Sequence, residues 1–120
     1  MSQETVLFGI ANCDTVKKAR AQLQASEVAY RFHDFKKDGV PAALLADALA
    51  QCGWHLLLNR QGTTWRKLSE TDKAGITDEA SASVLMQAQP SVIKRPVIRW
   101  PACEITVGWD AAVQARLNMR

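Results

Sequence analysis

Near the N-terminus, Thr5-Val6-Leu7-Phe8-Gly9-Ile10 form a short, nearly unbroken apolar run. A half-exposed strand would alternate apolar and polar side chains, so a run of this kind marks a strand buried on both faces. The chain must therefore cover both sides of a sheet that has this strand at its centre, in a parallel-type arrangement. Asn12, Cys13 and Asp14 offer capping groups, and Val16, Ala19 and Leu23 follow at helical spacing while Lys17, Lys18, Gln22 and Gln24 stay polar. This predicts a helix from about Asp14 to Ala25. Tyr30, Phe32 and Asp34 then alternate with Arg31 and His33 in a β-prone segment that ends in the charged turn Lys36-Lys37-Asp38-Gly39. Strand, helix and strand within about thirty residues have the length of one βαβ unit.

The pattern changes after Gly39. Pro41 is placed to open a helix, Leu44, Leu45, Ala48 and Leu49 repeat on one face, and Gly53 provides a stop. Residues 59–64, with Gly62, read as an exposed loop followed by the amphipathic Trp65-Arg66-Lys67-Leu68. Residues 77–87 are helical again, and Pro90 bars continuation. The segment 40–89 is therefore a helical block without a strand. Strand character returns at 96–100, breaks at Pro101-Ala102-Cys103 and resumes at 104–108, as in a β-hairpin. Asp110 then caps a last helix carrying Ala112, Val113, Arg116 and Leu117. The order β-α-β, helical insertion, β-β-α packs most simply as an α/β domain, one mixed four-stranded sheet with helices on both faces. At 120 residues the chain has room for a single domain. Its core is expected in 1–39 and 90–120, and the insertion in 40–89.

A net charge of +3 with scattered basic residues suits an anionic small-molecule substrate and is too weak to point to nucleic acid. No apolar run approaches the ~20 residues of a membrane span. Met1 to Phe8 lacks a basic segment leading into an apolar one, so a soluble, cytoplasmic protein without membrane association is expected. The three cysteines, Cys13, Cys52 and Cys103, fit neither a secreted disulfide framework nor a C-x-x-C zinc pair. His33 and His55 lack a second ligand at metal spacing, so no metal site is expected. The four tryptophans are spread as packing residues rather than as a stacking platform.

In open α/β sheets, sites collect just beyond the carboxyl ends of parallel strands, and Cys13 stands there at a helix start. An ordinary thiol is only about 3% thiolate at pH 7, whereas a helix N-terminus and nearby cations make thiolate the main form. Lys17, four residues on, can bring its ammonium toward the sulfur. Most isolated cysteines are small buried hydrophobes, and Cys52 and Cys103 keep that reading. Val16 stands where a C-x-x-C motif would put its second thiol, so no dithiol can form within the helix. Either Cys52 or Cys103 resolves a disulfide with Cys13, without support from their spacing, or an outside thiol such as glutathione or a small redoxin must restore Cys13. Lys94-Arg95-Pro96 reads either as a cis X-Pro step whose backbone meets a peptide-like substrate or as a plain strand opening. Asn59-Arg60-Gln61-Gly62-Thr63-Thr64 reads either as a donor-rich anion site or as a polar loop.

Three blocks carry a resemblance: Gly9 to Arg20, with Asn12-Cys13-Asp14-Thr15 inside it; Leu58-Asn59-Arg60-Gln61-Gly62-Thr63-Thr64-Trp65-Arg66-Lys67-Leu68; and Ile93-Lys94-Arg95-Pro96-Val97. They resemble the signature blocks of the arsenate reductase (ArsC) family, most closely its YffB-type members, which are also relatives of the Spx regulators. The resemblance implies a thioredoxin-like fold with a helical insertion, Cys13 as nucleophile, Pro96 as a cis-proline facing it, and Arg95 as an oxyanion-binding arginine. Asn59 stands where the arsenate enzymes carry an arginine, with Arg60 one place later, and Val107-Gly108-Trp109 replaces another. A site so reduced in charge is expected to be a glutathione-dependent thiol reductase. Asn12, Lys17 and the helix N-terminus would stabilise the thiolate, while Asn59, Arg60, Arg95 and Pro96 would bind substrate and glutathione. No cofactor is expected to be bound: glutathione is a co-substrate, with glutaredoxin as a partner. The alternatives are arsenate reduction with glutathione and glutaredoxin, and a non-catalytic Spx-like module that contacts RNA polymerase or another protein.

Overall fold

Every residue of the first strand, β1 (Thr5–Gly9), is buried in the computed structural model, which describes residues 4–118. β2 (Tyr30–Asp34) pairs with it in parallel, Leu7 facing Phe32. On the other side β3 (Val97–Arg99) is antiparallel, Leu7 facing Ile98, and β4 (Ile105–Val107) completes the order β2-β1-β3-β4. The central place expected of β1 is met, and only one of its two neighbours is parallel. The hairpin strands are shorter than the sequence pattern, three residues each, because the chain turns sharply at Pro101–Cys103, where Ala102 and Cys103 take φ of 69° and 67°.

Helix α1 (Asp14–Ala25) follows the predicted range. Its residues Val16, Ala19 and Leu23 share a fully buried cluster with Leu7 and Ile98, completed by Trp100 and Val113. The helix closes with the N–H of Val28 donating to Leu23 O (2.9 Å) and that of Glu27 to Gln24 O (3.0 Å). Those are the two bonds of a Schellman end, and Glu27 holds the left-handed position at φ 58° where glycine is usual. On the opposite face of β1, Phe8 stacks with Phe35 at 6.1 Å and His33 packs against both rings. The charged segment after β2 is a helical turn, α2 (Phe35–Asp38), because Asp34 Oδ1 accepts from the N–H of Lys36 (2.9 Å) and Lys37 (3.3 Å).

The chain divides into two compact units: the residues up to Asp38 together with those from Arg95 onward, and Gly39–Lys94. The second is helical, with α3 (Ala42–Cys52), α4 (Trp54–Leu57), α5 (Thr63–Arg66), α6 (Glu70–Ala74) and α7 (Glu79–Ala88). Gly53 ends α3 at φ 83°, a conformation open to glycine without strain. Thr63 and Thr64, expected in a loop, open α5 instead. A four-residue helix is shorter than any window in which hydrophobic periodicity can be read. The block also contains one extended contact, an antiparallel bridge between Leu58 and Ile93. In the first unit, the last helix α8 (Ala111–Gln114) is capped by Asp110, which accepts from the Val113 N–H at 3.0 Å.

Because Glu27 is exposed and holds a left-handed conformation that costs an L-residue roughly 1 kcal/mol, Glu27→Gly is expected to raise stability by about 0.5–1 kcal/mol in urea unfolding. A loss of stability would show that the Glu27 side chain matters more than its backbone.

Candidate active site at the start of α1

Cys13 is the N-cap of α1, with extended backbone (φ −142°, ψ 121°), and its carbonyl accepts from the Lys17 N–H at 2.9 Å. In this position a side chain stands over the N–H groups of the first turn, which have no partner inside the helix. The Cys13 side chain makes no capping hydrogen bond, and sulfur in S–H is a weak acceptor. The thiolate is different. Burial pushes the Cys13 thiol up, but the Val16 N–H, the Arg95 guanidinium through both hydrogen bond and charge, and the Thr15 N–H outweigh it. Together they hold Cys13 below the ordinary thiol value.

Arg95 reaches the sulfur through the strand register. β3 runs antiparallel to β1, with Val97 facing Phe8, so Pro96 and Arg95 fall beside the end of β1, where the chain turns toward Cys13. The Arg95–Pro96 bond is cis, and the Pro96 carbonyl accepts from the Gly108 N–H at 2.9 Å. That carbonyl, one of the backbone groups considered for a peptide-like substrate, thus serves the sheet.

Lys17, expected beside the sulfur, is exposed on α1 and meets Cys13 through its own backbone N–H. The cation acting on the sulfur is Arg95. Asn12 is exposed in the turn before the helix. Arg20 is drawn to β2, its Nε donating to the Tyr30 hydroxyl at 3.0 Å and its guanidinium lying 4.1 Å from the centre of the Phe32 ring. Asn59 and Arg60 belong to the second unit. There, Asn59 Oδ1 accepts from the Gln61 N–H at 3.1 Å, shaping the turn, and the exposed Arg60 guanidinium lies against Trp54 (5.4 Å) and Trp65 (6.0 Å).

None of the three cysteines is in a disulfide. Burial pushes the Cys52 thiol up, opposite to Cys13. Cys103 lies in the turn after Arg99, which faces Val6 near the start of β1, whereas Cys13 follows the end of β1. Four to five strand residues separate the two ends, about 15 Å. A disulfide spans Cα atoms no more than ~7 Å apart, so Cys103 is not a resolving thiol for Cys13. Among the described residues no group of three or more His, Cys, Asp or Glu could hold a metal ion, and no helix is long and apolar enough to cross a membrane.

The sequence reading missed the donors on the sulfur other than the helix end as a whole. Val16 and Thr15 act through backbone groups that any residue except proline carries, and only their spacing after a cysteine N-cap could have named them.

The model of the ArsC family matches residues 8–116, nearly the whole chain and both units. The chain belongs to the ArsC family. The solved structure of a YffB protein is 48% identical, covers 94% of this chain and 97% of its own, and superposes with a TM-score of 0.86. An arsenate reductase (ArsC) related protein from Brucella melitensis is 44% identical over 97% of this chain and 95% of its own, with a TM-score of 0.73. An uncharacterised protein of Haemophilus influenzae is 41% identical over 92 residues, 77% of this chain and 80% of that protein. The chain has the thioredoxin-like mixed four-stranded sheet of its ArsC structural neighbours.

Two measurements test the site. Iodoacetamide labelling against pH, resolved cysteine by cysteine by mass spectrometry, should show Cys13 reacting at lower pH than Cys52. Arg95→Ala should move Cys13 upward and Lys17→Ala should leave it in place, and the reverse pattern would return the stabilising role to Lys17. The second measurement is of stability. A folded-state pKa held below that of the unfolded thiol gives a contribution fully present above the unfolded value, which is lost as pH falls through the folded one. The stability of wild type relative to Cys13→Ser should therefore grow as pH rises through that window, and a flat difference in urea unfolding would contradict it.

Proposed function

We propose that the protein is a glutathione-dependent thiol reductase with Cys13 as its one nucleophile. Family membership and the Cys13 site together support a thiol-based reductase. The observation that carries the reading is the Cys13 thiol held below its ordinary value by the first turn of α1 and by Arg95, with Val16 in the place of a local second thiol. In the first step the thiolate attacks the glutathione sulfur of a mixed disulfide, forming Cys13–S–S–glutathione and expelling the substrate thiolate, which takes a proton. A second glutathione, as thiolate, attacks the glutathione sulfur of that adduct. Oxidised glutathione leaves, and Cys13 returns as thiolate. Arg95 assists both halves by favouring the anionic sulfur as attacker and as leaving group, and it draws the anionic tripeptide toward it. A glutaredoxin would serve as the partner where it replaces the second glutathione. Reliance on reduced glutathione places the reaction in a reducing compartment, the cytoplasm.

One observation favours a second reading. The Brucella melitensis relative is named as arsenate reductase related, and arsenate would meet the same thiolate and Arg95. Reduced glutathione and glutaredoxin supplied with arsenate, and no arsenite formed, would remove it.

For the main reading, wild type incubated with oxidised glutathione should gain one glutathione on Cys13, lose it to reduced glutathione, and turn over a glutathione mixed disulfide. Cys13→Ser should do none of these. Turnover by Cys13→Ser at the wild-type rate would end the proposal.

A further inference from the structure

We propose that Gly9 is a positioning residue for the Cys13 nucleophile: the side chain it lacks is the room that Val16 occupies, and Val16, so placed, brings its N–H beneath the sulfur. Gly9 is the last residue of β1 and is buried, and its partner on β2 is Asp34. A Cβ built on Gly9 would lie 2.8 Å from Val16 Cγ2 and 3.4 Å from Cγ1. The first distance is well inside van der Waals contact, so the strand end and the first turn of the helix approach as closely as a missing side chain allows.

Val16 has little freedom to yield. It is fully buried, in one cluster with Leu7, Ala19, Leu23 and Ile98. As a β-branched residue in a helix it is confined to essentially one χ1 well, so turning its methyl groups away costs a rotamer. The response left is to move the first turn of α1. Val16 is the third residue of that helix, the place whose N–H an N-cap side chain accepts, and its N–H is the foremost of the groups that favour the thiolate. A displacement of a few tenths of an ångström at Val16 is felt directly in a hydrogen bond to sulfur, and Cys13 is three residues away on the same turn. The chain of contact is therefore Gly9, Val16, Cys13, all in the first unit. The role belongs to space alone. Gly9 acts through Val16.

The inference rests on Cys13 being the working thiol, but its test reads the thiol itself and not turnover, so the failure of the reductase reading would leave it standing. The measurement is the pH midpoint of Cys13 alkylation, followed in parallel with thermal unfolding of the intact chain. Gly9→Ala should move the midpoint toward the ordinary thiol value and slow alkylation at pH 7 about tenfold, the scale of one weakened charge-assisted hydrogen bond. Val16→Ala alone keeps the backbone N–H and should leave the midpoint where it is. Gly9→Ala on the Val16→Ala background removes the two methyl groups that the new Cβ would strike, and should return the midpoint to the wild-type value. That return is a rescue that lost packing alone would not give. A fall in melting temperature in Gly9→Ala with an unmoved midpoint would make Gly9 a packing residue only and overturn the proposal. Should Gly9→Ala not fold, the double variant decides: a midpoint that stays raised there would show that Val16 is not the intermediary.

Discussion

Burial of β1 on both faces is the constraint from which the rest of the first unit follows. Five consecutive buried residues must find neighbours above, below and on both edges. The neighbours on one face are Val16, Ala19 and Leu23 of α1, which pack in one cluster with Leu7. On the other face Phe8 finds Phe35 and His33. Once α1 lies on β1 with Val16 at Gly9, the four residues from Ile10 to Cys13 have little choice of path. The helix must begin where the strand has just ended, and the residue at its N-cap is placed by packing that has nothing polar in it.

What that residue does is then decided by electrostatics. At an ordinary N-cap, Ser, Thr, Asp or Asn satisfies the first-turn N–H groups at any pH. A cysteine satisfies them well only when ionised, so capping of α1 and formation of the thiolate are one event at Cys13. Burial alone would favour the thiol, as it does at Cys52. The two half-buried cysteines of one chain are therefore driven in opposite directions by their surroundings. An arginine suits the task better than a lysine, because it stays charged when partly buried and its planar donors point in fixed directions. Arg95 is half-buried, while Lys17 is in water, where its charge is screened.

Much of this was legible in the sequence because it is local. The apolar run of β1, the spacing of Val16, Ala19 and Leu23, and the alternation of Tyr30 to Asp34 each carry their period within a dozen residues, and α1 and β2 fall where the patterns put them. The resemblance in three blocks led to the family. What was not legible depends on register or on backbone. Arg95 and Cys13 are far apart in the chain: the resemblance implies an oxyanion-binding role for Arg95, and the antiparallel pairing of β3 with β1 is what brings it to the end of the strand as the cation acting on the sulfur. From sequence alone the nearest cation in the helix was the natural choice, and it is the wrong neighbour. Gly9 looked like one more small residue in an apolar run, since its importance lies in the 2.8 Å that a Cβ would have left. The short helices α4 and α5 carry too few residues for a period to show.

The same packing accounts for the absence of a dithiol. In a C-x-x-C arrangement the residue three after the nucleophile lends its side chain to the chemistry. Here that residue is Val16, whose side chain fills the space over Gly9 and reaches into the core with no exposure to solvent, while only its N–H faces the sulfur. A cysteine at this position would have to give up either the core or the contact with Cys13, because one side chain cannot serve both. The register of β1 and β3 sets Cys103 at the opposite end of the strand. A chain that stabilises its thiolate by pressing the first helical turn against the central strand thereby commits the neighbouring position to packing. On the proposed mechanism, the sulfur that completes the cycle then comes from beyond this turn, as an external small thiol would supply it.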